Sequence, residues 1–128
     1  MRLLLDTHAF LRFLLDDPKL KVTARRLIAD PNNEIEASPA TYWEVAIKIA
    51  LRKYALSEPF EVFMEREVTI NDFHILPIEL KRVAIFTRMP LHHRDPFDRL
   101  LSAHAMVEQI PIVSGDTAFD ACPVTRLW

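Results

Sequence analysis

The sequence predicts an α/β fold: a central parallel sheet with helices on both faces. Two observations carry this reading. Short apolar runs of strand length alternate with segments of helical periodicity, and the connections between strands are too long for hairpins. A third concerns function. In such sheets, sites gather beyond the carboxyl ends of the strands, where strand order reverses, and acidic residues stand at the ends of two of the strands here.

The elements follow in order. Residues 2–5 read as a buried strand, followed by a helix over about 7–15. Residues 21–30 are helical and stop at Asp30-Pro31, and 34–37 form a short strand. Ser38 is an N-cap with Pro39 at the first helical position. The helix it opens is expected over 39–54, with Ala40, Trp43, Ala46, Ile47, Ala50, Leu51 and Tyr54 on one face. A shorter helix is expected at 59–67, a strand at 73–76 ended by Pro77, and a helix at 78–87. Asp95-Pro96 starts another helix running to about Glu108. Ile110 to Ser114 and Val124 to Leu127 are the last strands. Trp43, Tyr54, Phe60 and Phe63 are spaced as core or interface aromatics.

A chain of 128 residues suits one domain, residues 1–128, and half of it is hydrophobic, enough for a real core. No apolar run approaches the roughly 20 residues of a membrane span, and no secretory leader is legible at Met1. Cys122 is alone, so no internal disulfide can form. These features predict a cytoplasmic protein. The net charge of −2 is not the footprint of a protein held to nucleic acid by bulk charge, so any such binding must use local patches or a metal. The single glycine, Gly115, excludes glycine-rich phosphate loops.

The chemistry is carried by acids. Asp6 directly follows the first strand. Asp116 follows the strand ending at Ser114, after one glycine. Asp95 and Asp98 lie in the first turn of the helix before that strand, and Glu44 sits on the 39–54 helix, off its expected apolar face. Crowded carboxylates must protonate or hold a cation. Oxygen ligands without an organised Cys or His set point to Mg²⁺ or Mn²⁺ rather than Zn²⁺. Such a metal can activate water and stabilise charge on a phosphodiester. Each acid also has a plainer reading. Asp95 caps a helix, Asp98 favours a helix N-terminus, Asp116 forms a turn, and Glu44 pairs with Lys48 at i,i+4. Asp6 is the hardest to explain that way. Near these acids, His93, Arg94 and Arg99 are candidate phosphate contacts, with His92 beside them. His8 and His104 are candidate polar neighbours of the site. Arg12, Lys19, Lys21, Arg25 and Arg26 read as the solvated face of the first two helices.

Four segments resemble those of PIN domains, and within that superfamily VapC-type toxins, over nearly the whole chain: L-L-L-D-T-H at 3–8, S-P-A-T-Y-W-E-V-A-I-K at 38–48, L-H-H-R-D-P-F-D-R-L-L-S-A-H-A at 91–105 and P-I-V-S-G-D-T-A-F at 111–119. The ending V-T-R-L-W suits one subgroup. The resemblance implies a three-layer fold with a parallel sheet, Mg²⁺- or Mn²⁺-dependent endoribonuclease activity, a homodimer, and a VapB-type antitoxin partner. It maps the core acids onto Asp6, Glu44, Asp98 and Asp116, with Asp95 and Ser114 as accessory residues and Asp120 as a poor match for a further acid. Three alternatives remain at this level. A phosphotransferase using Asp6 would need a second acid two residues on, where His8 stands. A catalytically silent interaction module would have no need of all four acids. A deoxyribonuclease of the related flap-nuclease group would need elements that this short chain lacks.

Overall fold

The computed structural model describes residues 1–89 and 95–128. The strands are β1 (Arg2–Leu5), β2 (Glu34–Ala37), β3 (His74–Ile75), β4 (Ile112–Val113) and β5 (Arg126–Leu127). The helices are α1 (Thr7–Leu14), α2 (Val22–Ala29), α3 (Pro39–Ala50), α4 (Phe60–Ile70), α5 (Leu80–Phe86) and α6 (Pro96–Glu108), with a 3-10 turn at Thr117–Ala121. All strand pairs are parallel, in the order β3-β2-β1-β4-β5. The chain builds outward from β1 to β2 and β3, then returns to place β4 and β5 on the other side. The switch point therefore lies between the carboxyl ends of β1 and β4.

Side chains on a strand alternate between faces, and β1 shows this directly. Leu3 and Leu5 join a core with Phe10, Ala24, Ile28, Val45 and Phe63, beneath α1 to α4. Leu4 points to the other face, with Leu101, Ala105, Ile112 and Phe119, beneath α6. Phe10 is wholly buried and contacts both Tyr42 and Phe73 edgewise or tilted, at centroid distances of 6.4 and 5.9 Å. Such a ring contributes about 1.5–3 kcal/mol over an exposed one.

The expected 39–54 helix ends earlier, at Ala50. Arg52 turns into the left-handed region (φ 58°), and the Lys53 and Tyr54 amides curl back onto the Lys48 carbonyl. The expected buried face of this helix is also corrected. Ala40, Thr41, Glu44 and Val45 are buried, while Trp43 is 66% and Leu51 62% exposed. The helix is apolar nearly all round, so apolar spacing could not single out its inward stripe. That stripe is partly polar because it faces the carboxyl ends of the strands. Helix α4 runs to Ile70, three residues beyond expectation, and β4 is shorter than Ile110 to Ser114 because Pro111 has no amide to give the ladder.

Left-handed backbone recurs at helix ends. Asp16, Arg52, Asp72 and Gln109 all have positive φ, and each stands just past α1, α3, α4 or α6. Away from the strand carboxyl ends, a network of ions ties α5 and α6 to the sheet. The Arg2 guanidinium donates to Glu36 on β2 and, at 3.2 Å, to Glu108 on α6. Arg82 of α5, 5% exposed, donates to Glu108 and, at 2.9 Å, to the Pro77 carbonyl. Removing one partner strands the other charges where water is scarce. Arg82→Leu should lower stability by about 2–3 kcal/mol, read from urea unfolding. Unchanged stability would show that Glu108 is held by Arg2 alone.

Candidate functional site

Asp6 terminates β1 and caps α1 with one side chain. Its backbone is extended (φ −76°, ψ 170°), its amide donates to the Val113 carbonyl at 3.2 Å, and its Oδ1 accepts the Ala9 amide at 2.7 Å. Its Oδ2 accepts the Ser114 hydroxyl at 2.5 Å. Ser114, wholly buried at the end of β4, in turn accepts the Asp116 amide on its Oγ at 2.9 Å. One hydroxyl thus fastens the acid after β1 to the turn after β4. Burial pushes the Asp6 carboxyl up, opposed by the Ser114 and Ala9 hydrogen bonds.

Gly115 lies between these two residues, and its φ is not positive. What it provides is close approach. A Cβ there would come within 2.9 Å of the Trp128 indole carbons, so the glycine lets the ring approach this turn. Asp116 then caps the 3-10 turn, its Oδ1 accepting the Ala118 amide at 2.9 Å.

Glu44 arrives from α3. It is 7% exposed, contrary to its expected place away from the buried face. Its Oε1 accepts the Thr7 hydroxyl at 2.6 Å, and the Lys48 ammonium lies 3.6 Å from Oε2. The Lys48 pair expected from sequence therefore exists, but beside a buried carboxylate and not on a solvated face. Thr7 is a positioning residue that the sequence reading did not single out. Its signal was available: a hydroxyl directly after Asp6, at the first position of the helix that Asp6 caps.

Asp95 caps α6, its Oδ1 accepting the amides of Phe97 at 2.9 Å and Asp98 at 3.3 Å. Asp98, like Asp6, is held above the ordinary carboxylate range. Burial raises its pKa to about 7, reinforced by the charges of Asp95, Glu44, Asp6 and Asp116. The five acids expected from sequence therefore share one region. Their donor set is all oxygen, which suits a hard divalent cation. Among the described residues, no three His, Cys, Asp or Glu side chains converge on a single point as they stand.

The other candidates separate. His8 is exposed and borders the acids. His104 is wholly buried and beside Arg82, toward the ion network, with its pKa drawn down to about 4 chiefly by burial. It is not a neighbour of the acids. Arg99 donates to the Phe86 and Met89 carbonyls, both at 3.3 Å, and stacks on the Phe86 ring at 4.2 Å. Its guanidinium is committed to the end of α5. Asp120 is held by Arg126, at 2.8 Å. His92, His93 and Arg94 lie outside the described residues.

The comparisons agree with this fold. The model of the PIN domain family matches residues 3–124, and the chain belongs to that family. No curated protein matches it. Among solved structures, the chain resembles VapBC2 from Rickettsia felis bound to a DNA fragment from their promoter, with TM-score 0.70, 16% identity, and 99% of this chain and 98% of that one covered. It also resembles FitAcB from Neisseria gonorrhoeae (TM-score 0.69, 20% identity, 98% and 96% covered). A third is a toxin–antitoxin complex from Klebsiella pneumoniae (TM-score 0.63, 19% identity, 98% and 95% covered). At these identities the likeness is one of fold. No helix among the described residues is long and apolar enough to cross a membrane.

The raised pKa of Asp98 has a sign that can be measured. Its folded-state pKa of about 7 lies above the ordinary 3.8, so the folded state is favoured when this group is protonated. In chelator, stability should fall as pH rises from about 4 through 7. Asp98→Asn should flatten that fall and raise the metal-free melting temperature above pH 7 by a few degrees, read by thermal melts across pH. Parallel pH profiles for the two proteins would show that Asp98 is not crowded.

Proposed function

We propose that this chain is a metal-dependent endoribonuclease, the toxin half of a VapC-type toxin–antitoxin pair. The observation that carries the reading is the gathering of acids at the β1–β4 switch point, where burial first, and then the charges of Asp95, Glu44, Asp6 and Asp116, push the Asp98 carboxyl up to about 7. Mutual repulsion of that kind is relieved by a divalent ion, and the family to which the chain belongs supports nuclease chemistry. In this reading Asp6, Glu44, Asp98 and Asp116 hold Mg²⁺ or Mn²⁺, with Asp95 and Ser114 as accessory residues. The bound ion would supply a water of lowered pKa and a Lewis acid for the phosphodiester.

The residues have distinct tasks. Ser114 fixes Asp6 and the Asp116 turn relative to one another. Thr7 orients Glu44. Asp95 holds the first turn of α6, and so the origin of Asp98, in place. His93 and Arg94 remain proposed phosphate contacts, whereas the Arg99 guanidinium braces the end of α5. A VapB-type partner is supported by the fold likeness to VapBC2 and to the Klebsiella toxin–antitoxin complex. The homodimer has an apolar face to draw on, where exposed Trp43 meets Phe97 edgewise beside Ile78, Val83 and Phe86.

The test is cleavage of a mixed RNA pool with Mg²⁺, with Mn²⁺ and with chelator, the Asp98→Asn protein run in parallel. Metal-dependent cutting should vanish in Asp98→Asn, which removes charge with little change of volume. Ser114→Ala should lower activity about 10–100-fold, the usual loss when the group orienting a metal ligand is removed. Full activity in Asp98→Asn would sink its assignment, and no cutting by a folded, metal-binding protein would favour a module that binds without cleaving.

A further inference from the structure

Beside the acids lies a cavity of about 400 Å³ whose walls carry the opposite charge. Asp6 and Asp116 line it together with Arg12 of α1, Lys19 and Lys21 of the α1–α2 connection, and Trp128. His8, exposed one turn before Arg12, stands at the junction. A smaller recess of about 130 Å³ continues outward along His8, Arg12, Lys19 and Tyr54.

Three features set this apart from an ordinary solvated face. First, the cations are unspent. Arg25, on the same two helices, pairs with Asp16 at 2.8 Å, whereas Arg12, Lys19 and Lys21 have no ion-pair partner among the described residues, in a chain with more acids than bases. Second, they line the same cavity as Asp6 and Asp116. Third, an indole, that of Trp128, lines the cavity with them. The one glycine of the chain is placed where it lets that ring approach.

Unpaired cations lining a cavity with an aromatic ring are the chemistry of single-stranded nucleic-acid binding: cations follow the phosphates and a base stacks on the ring. They also answer a difficulty. A chain of net charge −2 with clustered carboxylates repels a polyanion, so something local must hold it there.

We propose that Arg12, Lys19, Lys21 and Trp128 form the track that holds single-stranded RNA on one side of the acidic cluster, phosphates on the three cations and a base against the indole. The proposal rests on the reading that this chain acts on RNA, and it adds where the strand lies. Helix α1 is then both the element capped by Asp6 and the element that presents Arg12 two turns of chain later, so the track and the acids are held in fixed relation.

The test reads binding without cleavage. A fluorescein-labelled short single-stranded RNA is titrated with the protein in chelator at several salt concentrations, by anisotropy. The protein carrying Arg12→Gln, Lys19→Gln and Lys21→Gln should bind at least about 10-fold more weakly, with its log–log salt slope reduced by about 2, the change for three lost phosphate contacts on a single strand. A control lacking the same charge outside the cavity, at Arg26, Arg52 and Lys81, should bind nearly as the parent does. In a Trp43→Phe background, which leaves Trp128 as the only indole, RNA should quench the emission. Equal weakening in the two triple variants would overturn the track in favour of diffuse charge, and unchanged affinity in the first would overturn it outright. A polyglutamate peptide that displaces the RNA as well as unlabelled RNA of equal charge would reassign the cavity to an acidic protein partner. Because cleavage is silent in chelator, a failed nuclease reading and a failed track give different results.

Discussion

Repulsion among carboxylates is the constraint around which the rest of this molecule is arranged. Bringing Asp6, Glu44, Asp95, Asp98 and Asp116 into one region opposes folding, and the structure counters it with local bonds. Each acid for which hydrogen bonds are resolved accepts from a neighbour fixed by secondary structure: Asp6 from Ala9 and Ser114, Glu44 from Thr7, Asp95 from the first turn of α6, Asp116 from Ala118. Helix N-termini do much of this, because their amides have no intrahelical acceptor and favour negative charge. The same geometry that begins a helix therefore also places a charge at the strand ends.

The stability needed to hold such a site comes from elsewhere. The two apolar layers on either side of β1 enclose Leu3, Leu4 and Leu5 completely, and the Arg2–Glu36–Glu108–Arg82 network joins α5 and α6 to the sheet away from the strand carboxyl ends. The separation of tasks is spatial. Residues at the amino end of β1 fix the layers, and residues beyond its carboxyl end are available for chemistry.

Much of this was legible in the sequence, for reasons that differ between elements. Strand β1 is apolar at every buried position and ends at an acid, so its place and its polarity along the sheet follow from composition. The caps at Ser38 and Asp95, each followed by proline, marked the starts of α3 and α6 to the residue. Helix α3 shows the limit. Its apolar residues surround it, so periodicity chose Trp43 for the interior while the fold chose Thr41 and Glu44. That choice depends on contacts with Thr7, remote in sequence. His104 failed similarly: nothing in its neighbours along the chain says that it lies beside Arg82 and not beside Asp98. The basic residues of the first two helices looked alike, and only the structure separates Arg25, which is paired, from Arg12, Lys19 and Lys21, which share a cavity with two acids.

The left-handed residues after four helices carry a consequence for how the molecule comes apart. Side chains in that conformation are disfavoured by roughly 1–2 kcal/mol each, a burden that glycine at the same place would not carry. The only glycine of the chain is engaged beneath Trp128, so Asp16, Arg52, Asp72 and Gln109 make those turns instead. When the protein opens locally, the strain relieved by leaving that conformation lies at the exits of α1, α3, α4 and α6, and none of it is stored at Asp6, Ser114 or Asp116.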